Sequence, residues 1–279
     1  MKRVGFIGFG NMGSALARGI VSKGITSKEN ICVYDKLSSK LDEARSLGFI
    51  VKDREIDVFN SSDIVFLAVK PKDLESSLEG VSNAIRDSHE TYRRSLKDKV
   101  LVSILAGVRI EKIVKVLGFE MPIVRVMPNT PALVGEGAYG IFFPEGVSEE
   151  YRKIVVSIFD SLGRGIVVEN EELMDVITGL SGSGPAYVFV VIQALADGGV
   201  RMGLSRKDAM LLASQTVLGS AKMVIENIGK IHPEELKDMV MSPAGTTAEG
   251  LKVLEENRIR FAFIKAVGEA TKKSRELSK

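Results

Sequence analysis

The 279-residue chain reads as an α/β protein, with an amino-terminal doubly wound parallel sheet and a carboxy-terminal all-α domain. Three observations predict this. Val- and Ile-rich apolar runs alternate with helical patterns through the first part of the chain, as parallel strands joined by crossover helices do. The first of those runs turns into its helix through a G-x-G-x-x-G loop. Beyond Asn170 the strand signal stops and long helical periodicities take over.

The first strand is Val4 to Ile7, and the loop is Gly8-Phe9-Gly10-Asn11-Met12-Gly13. Gly8 permits the tight turn, Gly10 lets a pyrophosphate approach the backbone, and Gly13 lets the helix Ser14 to Val21 pack closely on the strand. The amides opening that helix are suited to holding phosphates. The next run, Ile31 to Tyr34, ends in Asp35 about 20 residues on, completing a Rossmann-type dinucleotide fingerprint. Further strands are expected at Ile64 to Val69, Val100 to Leu105 and Ile123 to Met127. Ala138 to Phe143 and Gly165 to Val168 extend the sheet around a helix-like Ser148 to Leu162. The polar stretch from His89 to Arg94 is expected as a solvated loop or helix end. Residues 1–169 thus form the dinucleotide-binding domain, and 170–279 an all-helical substrate-binding and dimerisation domain.

In the second part, Pro185 suits the first turn of a helix through Tyr187 to Ala196 that is apolar on nearly every side. Such a helix needs cover all round, and a bundle this small cannot supply it, so a second subunit is expected. Asp197 and two glycines interrupt the run before the ~20 residues that span a bilayer. Ser205 to Asp208 forms a capping box opening another helix, and further helices follow Pro233 and Thr247.

Composition narrows the function. The 38 basic and 36 acidic residues nearly balance, giving a net charge of +2 without long blocks, so no nucleic-acid surface is indicated. The start carries no signal-peptide core, and Cys32 is the only cysteine, which fits a cytoplasmic, reducing setting. Two histidines, His89 and His232, are too few and too badly placed for zinc, and no metal is expected.

Three more loops fall at the carboxyl ends of strands, where doubly wound sheets bind ligands. Ala68-Val69-Lys70-Pro71 and Ala106-Gly107 are small or stiffened strand exits able to lie against a nicotinamide riboside. Pro128-Asn129-Thr130-Pro131 holds one amide between two prolines. In the helical part, Ser242-Pro243-Ala244-Gly245-Thr246-Thr247 sets hydroxyls and free amides at a helix start, a pocket suited to a carboxylate.

Here the chain resembles the pyrroline-5-carboxylate reductase family, which completes proline synthesis by reducing a cyclic imine with a nicotinamide dinucleotide. The resemblance runs through Ile7 to Gly13, Phe66 to Pro71, Pro128 to Pro131, Thr178 to Tyr187, Leu195 to Val200 and Ser242 to Thr247. It implies that Gly8, Phe9, Gly10, Asn11, Met12, Gly13, Asp35, Lys36, Ala68, Val69, Lys70, Pro71, Ala106, Gly107 and Asn129 bind NADPH or NADH. It implies that Ser242, Gly245, Thr246 and Thr247 hold the substrate, with Glu171 nearby and Thr247 the catalytic hydroxyl. It also implies a domain-exchanged homodimer, assembled further into decamers.

The chemistry suits a chain poor in histidine, because an imine nitrogen can be protonated before hydride arrives. Asp35 favours ribose hydroxyls over a 2′-phosphate, whereas Lys36 and Lys40 attract one, so both cofactors are expected to bind. Ala244 replaces a glycine frequent in the family loop, tolerable unless the backbone needs positive φ. Met239 stands where some members place a substrate-facing amide. One rival is a β-hydroxyacid dehydrogenase, but Val188 and Ile192 occupy its lysine and asparagine positions. The other is a non-catalytic dinucleotide sensor.

Overall fold

The computed structural model describes residues 2–88 and 95–278; the stretch from His89 to Arg94 lies outside the described residues. The chain divides into two compact units, residues 1–183 with 268–279, and residues 184–267.

The first unit holds one eight-stranded sheet. Its strands are β1 Val4–Ile7, β2 Ile31–Tyr34, β3 Ile50–Val51, β4 Ile64–Leu67, β5 Val100–Ser103, β6 Ile123–Met127, β7 Gly137–Phe142 and β8 Gly163–Val168. They lie in the order β3-β2-β1-β4-β5-β6-β7-β8. Helices α1 Asn11–Ser22, α2 Ser38–Ser46, α3 Glu55–Ser61, α4 Leu74–Arg86, α5 Ile110–Leu117, α6 Glu149–Asp160 and α7 Leu173–Ile177 belong to the same unit. Strands β1 to β6 run parallel. Sequence order reverses between β1 and β4, which opens a crevice outside their carboxyl ends.

Strand β7 departs from the parallel expectation and pairs antiparallel with β6. Only the one-turn 3₁₀ segment Thr130–Val134 separates them. A parallel return needs a crossover of a dozen residues or more, and none is available here. Strand β8 follows α6 and is parallel to β7. Two-residue β3 is too short to show any apolar period.

Period-two alternation sends the core to both faces of the sheet. Phe6 and Phe66 stand in register on β1 and β4 and stack with centroids 4.9 Å apart, beside Phe159 of α6. Their neighbours Ile7 and Leu67 face the opposite layer with Leu78, Val81 and Ile113. Cys32 is buried on β2 in that second layer, 3.2 Å from the Ser62 hydroxyl, and burial pushes its thiol pKa up.

The second unit is helical: α8 Gly184–Arg201, α9 Arg206–Glu226, α10 Pro233–Val240, α11 Thr246–Glu256 and the start of α12 Ile259–Leu277. Small residues let α8 and α9 approach closely, with Ala196, Ala209 and Ala213 forming their buried seam. A methyl on Gly199 would lie 3.3 Å from Ala209 Cβ. Ser205 caps α9 by accepting from the Asp208 amide at 3.1 Å, and His232 caps α10 by accepting from the Glu234 amide. Within this one chain α8 is not covered all round: Phe189 and Val190 are 61% and 67% exposed. The helical run Leu173–Arg201 is long and apolar enough to match a bilayer span by length and composition, a test that the core helix of a soluble protein also passes.

Candidate functional site

The glycine loop wedges between its two neighbouring strands. Gly8 donates its amide to Tyr34 O at 2.8 Å, and Ala68 donates to Ile7 O at 2.8 Å. Gly8 has φ +98°, and a Cβ there would sit 2.7 Å from the Ala68 carbonyl, so only glycine fits. A Cβ on Gly13 would lie 2.6 Å from Gly8 O, which holds α1 hard against the loop. Gly10 differs, because its missing side chain would meet no protein atom within 4 Å. Gly10 is also the N-cap of α1, and no side chain caps that helix. The opening amides, with the positive end of the helix dipole, therefore face a space shaped for an anion.

Asp35 organises this loop. One carboxylate oxygen accepts from the Phe9 amide at 2.7 Å and the other from the Leu37 amide at 2.9 Å. Lys36 pairs with Asp73 at 2.8 Å, at the end of the turn Pro71–Asp73 that follows β4. Lys40 pairs with Glu43 at 2.7 Å.

Ala68 to Pro71 leave β4, and Ala106 and Gly107 follow β5, so both groups fall at the same sheet edge as the glycine loop. Gly107 has φ +67°, and a Cβ there would be 3.1 Å from Leu277 Cβ; the end of α12 thus backs this strand exit. Asn129 leaves β6 and is buried. Its amide nitrogen donates to Ser181 O at 3.0 Å, and its oxygen accepts from the Ala138 amide at 2.8 Å. It ties the strand exit to the one-turn π-helix Thr178–Gly182, a helical irregularity frequent at functional sites.

Glu171 is held within the first unit. Its Oε1 accepts from Arg125 at 2.8 Å and from the Ile110 amide at 2.9 Å, so it caps the start of α5 from a distant part of the chain. Arg125 is only 4% exposed. Arg125 belongs to none of the motifs above, yet an arginine inside the apolar strand Ile123-Val124-Arg125-Val126-Met127 is itself a signal. A charge on a buried strand needs a partner. Asp175, Ser274 and Ser278 also belong to none of those motifs: both serine hydroxyls donate to the Asp175 carboxylate.

In the second unit, Ser242 to Thr247 form one turn entering α11. Gly245 is the helix N-cap, again without a side-chain cap, and its amide donates to Ser242 O at 3.0 Å. Thr247 Oγ1 has one long contact, 3.4 Å to Val240 O, which leaves the hydroxyl weakly engaged. Ala244 adopts φ +55°, the left-handed conformation that a glycine takes without strain and an alanine does not.

Comparison with known proteins adds the following. The family model described as pyrroline-5-carboxylate reductase dimerisation matches residues 171–277, and that of NADP oxidoreductase coenzyme F420-dependent matches residues 3–107. A pyrroline-5-carboxylate reductase of Methanosarcina acetivorans is 44% identical over 279 residues, covering 100% of this chain and 98% of that protein. The structure of a pyrroline-5-carboxylate reductase from Coxiella burnetii superposes with a TM-score of 0.88 at 35% identity, covering 100% of this chain and 99% of that one. A Plasmodium falciparum pyrroline carboxylate reductase with NADP bound gives 0.84 at 36% identity, covering 100% and 98%.

Proposed function

The chain belongs to the pyrroline-5-carboxylate reductase family, and from that premise we propose that it reduces 1-pyrroline-5-carboxylate to L-proline with NADPH or NADH. The observation that carries the reading is the uncapped start of α1 behind Gly8 and Gly10, at the point where strand order reverses. Backbone from Gly8 to Gly13 would hold the pyrophosphate. Asp35 and Lys36 would meet the adenosine ribose, while Ala68 to Pro71, Ala106, Gly107 and Asn129 would line the remainder.

Held by the loop from Gly8 to Gly13, NADPH or NADH would supply the hydride that the imine carbon needs. The chain's own task is to orient the substrate and direct one proton to the ring nitrogen, giving the secondary amine. The Ser242 hydroxyl and the amides of Gly245, Thr246 and Thr247 are suited to the substrate carboxylate, because a helix N-terminus favours an anion. Thr247 Oγ1, held among the described residues by its long contact to Val240 O, is placed to turn toward the ring nitrogen. Glu171 acts from further back, ordering α5 through Arg125 and Ile110.

The family model for dimerisation and the exposed apolar side of α8 support a homodimer in which a second copy covers that side; a cytoplasmic setting and further assembly into decamers belong to the same proposal. A monomeric mass by light scattering would reject the dimer. The activity is tested by following oxidation of NADPH and of NADH with pyrroline-5-carboxylate. Wild type turns over, and Thr247→Ala loses about 100-fold in kcat. Inactivity of wild type with both dinucleotides would overturn the reading, and full activity of Thr247→Ala would overturn the role of that hydroxyl alone.

A further inference from the structure

Which of the two dinucleotides the chain prefers turns on charge near the 2′-position of the adenosine ribose, at the carboxyl end of β2. Asp35 and Lys36 occupy that place, and their partners decide what each can offer. Both oxygens of Asp35 accept backbone amides, from Phe9 and from Leu37. The carboxylate is therefore fixed in place. Lys36 Nζ lies 2.8 Å from Asp73 Oδ1. Because β2 and β4 flank β1, this ion pair joins the strand exits on either side of the glycine loop.

The pair is asymmetric. The Asp73 side chain is 21% exposed and that of Lys36 is 64% exposed, so the carboxylate is the better-anchored member and the lysine the one drawn to it. Each group holds the other in its charged form: the hydrogen bond from Lys36, with the nearby charge of Lys72, lowers the Asp73 pKa, and Asp73 raises that of Lys36. Lys40 is engaged as well, with Glu43, which also takes Arg18 at 2.8 Å. Each lysine that follows Asp35 on this segment thus already has a carboxylate.

We propose that Asp73 is a specificity-determining residue, which sets the balance between NADPH and NADH by withholding Lys36 from the 2′-phosphate. The proposal rests on the reductase reading, since it concerns that reading's cofactor. Asp73 touches neither the reacting atoms nor the phosphate; it acts through Lys36. With Asp73 present, the Lys36 charge is shared with a carboxylate that repels a phosphate, and Asp35 adds a second negative charge. Removal of the Asp73 charge releases an ammonium able to swing to a phosphate, a point-charge contact of the kind lysine makes.

The test is binding without turnover. Fluorescence titration of NADPH and NADH is carried out on wild type, Asp73→Asn, Lys36→Met and the double variant. Asp73→Asn is expected to lower the NADPH Kd relative to the NADH Kd by about fivefold, the effect of one exposed ion pair. Lys36→Met alone is expected to give none of the NADPH gain seen with Asp73→Asn, because the gain needs the released ammonium. In the double variant the gain disappears. A ratio unmoved by Asp73→Asn, or moved equally when Lys36 is absent, would overturn the proposal while leaving the reductase reading intact. Wild type binding neither dinucleotide would overturn both.

Discussion

Ser274 Oγ donates to Asp175 Oδ1 at 2.6 Å, and both residues are buried. The end of α12 is thereby fastened to α7 by a charged hydrogen bond out of water. Ser278 adds a second donor at 3.2 Å, and the Arg109 guanidinium stands 4.0 Å away. Leu277 lies between these serines and backs Gly107, so the same turn supports a strand exit of the dinucleotide unit.

Ser274→Ala leaves a buried carboxylate short of a partner, and should cost about 1 to 3 kcal/mol in urea unfolding. Ser274→Thr keeps the hydroxyl and should recover part of that loss. A Ser274→Ala midpoint equal to wild type would show that the bond contributes nothing.

Arg125 and Glu171 give a second prediction. Arg125→Ala strips the cationic partner from Glu171, leaving it the Ile110 amide, and should destabilise by about 3 kcal/mol. Arg125→Met with Glu171→Gln should recover much of it, because no unmatched charge remains. Steady-state kinetics on Glu171→Gln separate two roles. A residue that only orders α5 changes stability and leaves the imine KM in place, whereas a large KM increase with unchanged stability would identify direct substrate contact.

Ala244 carries a side chain at φ +55°, and an alanine held there costs about 1 kcal/mol. Ala244→Gly should therefore raise stability by up to about that amount, less the greater chain entropy glycine loses on folding. Thermal unfolding measures it, and a lower Tm for the variant would contradict the strain.

A fourth prediction concerns acid. The Arg260 guanidinium, and after it the Lys237 ammonium, pull the Glu234 carboxyl from its ordinary value down to about 2. A carboxyl whose folded pKa is depressed stabilises the fold above its unfolded pKa, and loses that contribution as pH falls through the folded value. The stability gap between wild type and Glu234→Gln should thus be full at neutral pH and shrink from about pH 4.3 toward pH 2. Urea midpoints at several pH values test this, and a constant gap would refute it.

Much of this was legible in the amino-acid order. Strand runs such as Val4 to Ile7 and Ile31 to Tyr34 match their strands residue for residue, because parallel strands buried on both faces leave unbroken apolar runs. The glycine loop was legible because its roles are local. The direction of β7 was not, since an apolar run carries no sign for its polarity. Partnerships were the other hidden part. Lys36 with Asp73 spans 37 positions, Arg125 with Glu171 spans 46, and Asp175 with Ser274 spans 99. Nothing in a local pattern selects one carboxylate among 36 for a given cation.

The position of Cys32 makes the protein its own chemical clock. Its sulfur is the only one able to form a thiolate, it lies buried on β2, one strand in from an edge of the sheet, and burial disfavours its ionised form. A thiol reagent therefore has one target, reached only when the layer that packs over it, with Val58 and Ser62 against the sulfur, opens. The pace of modification reads the opening of the dinucleotide unit directly, without an introduced label and without competing sites to subtract.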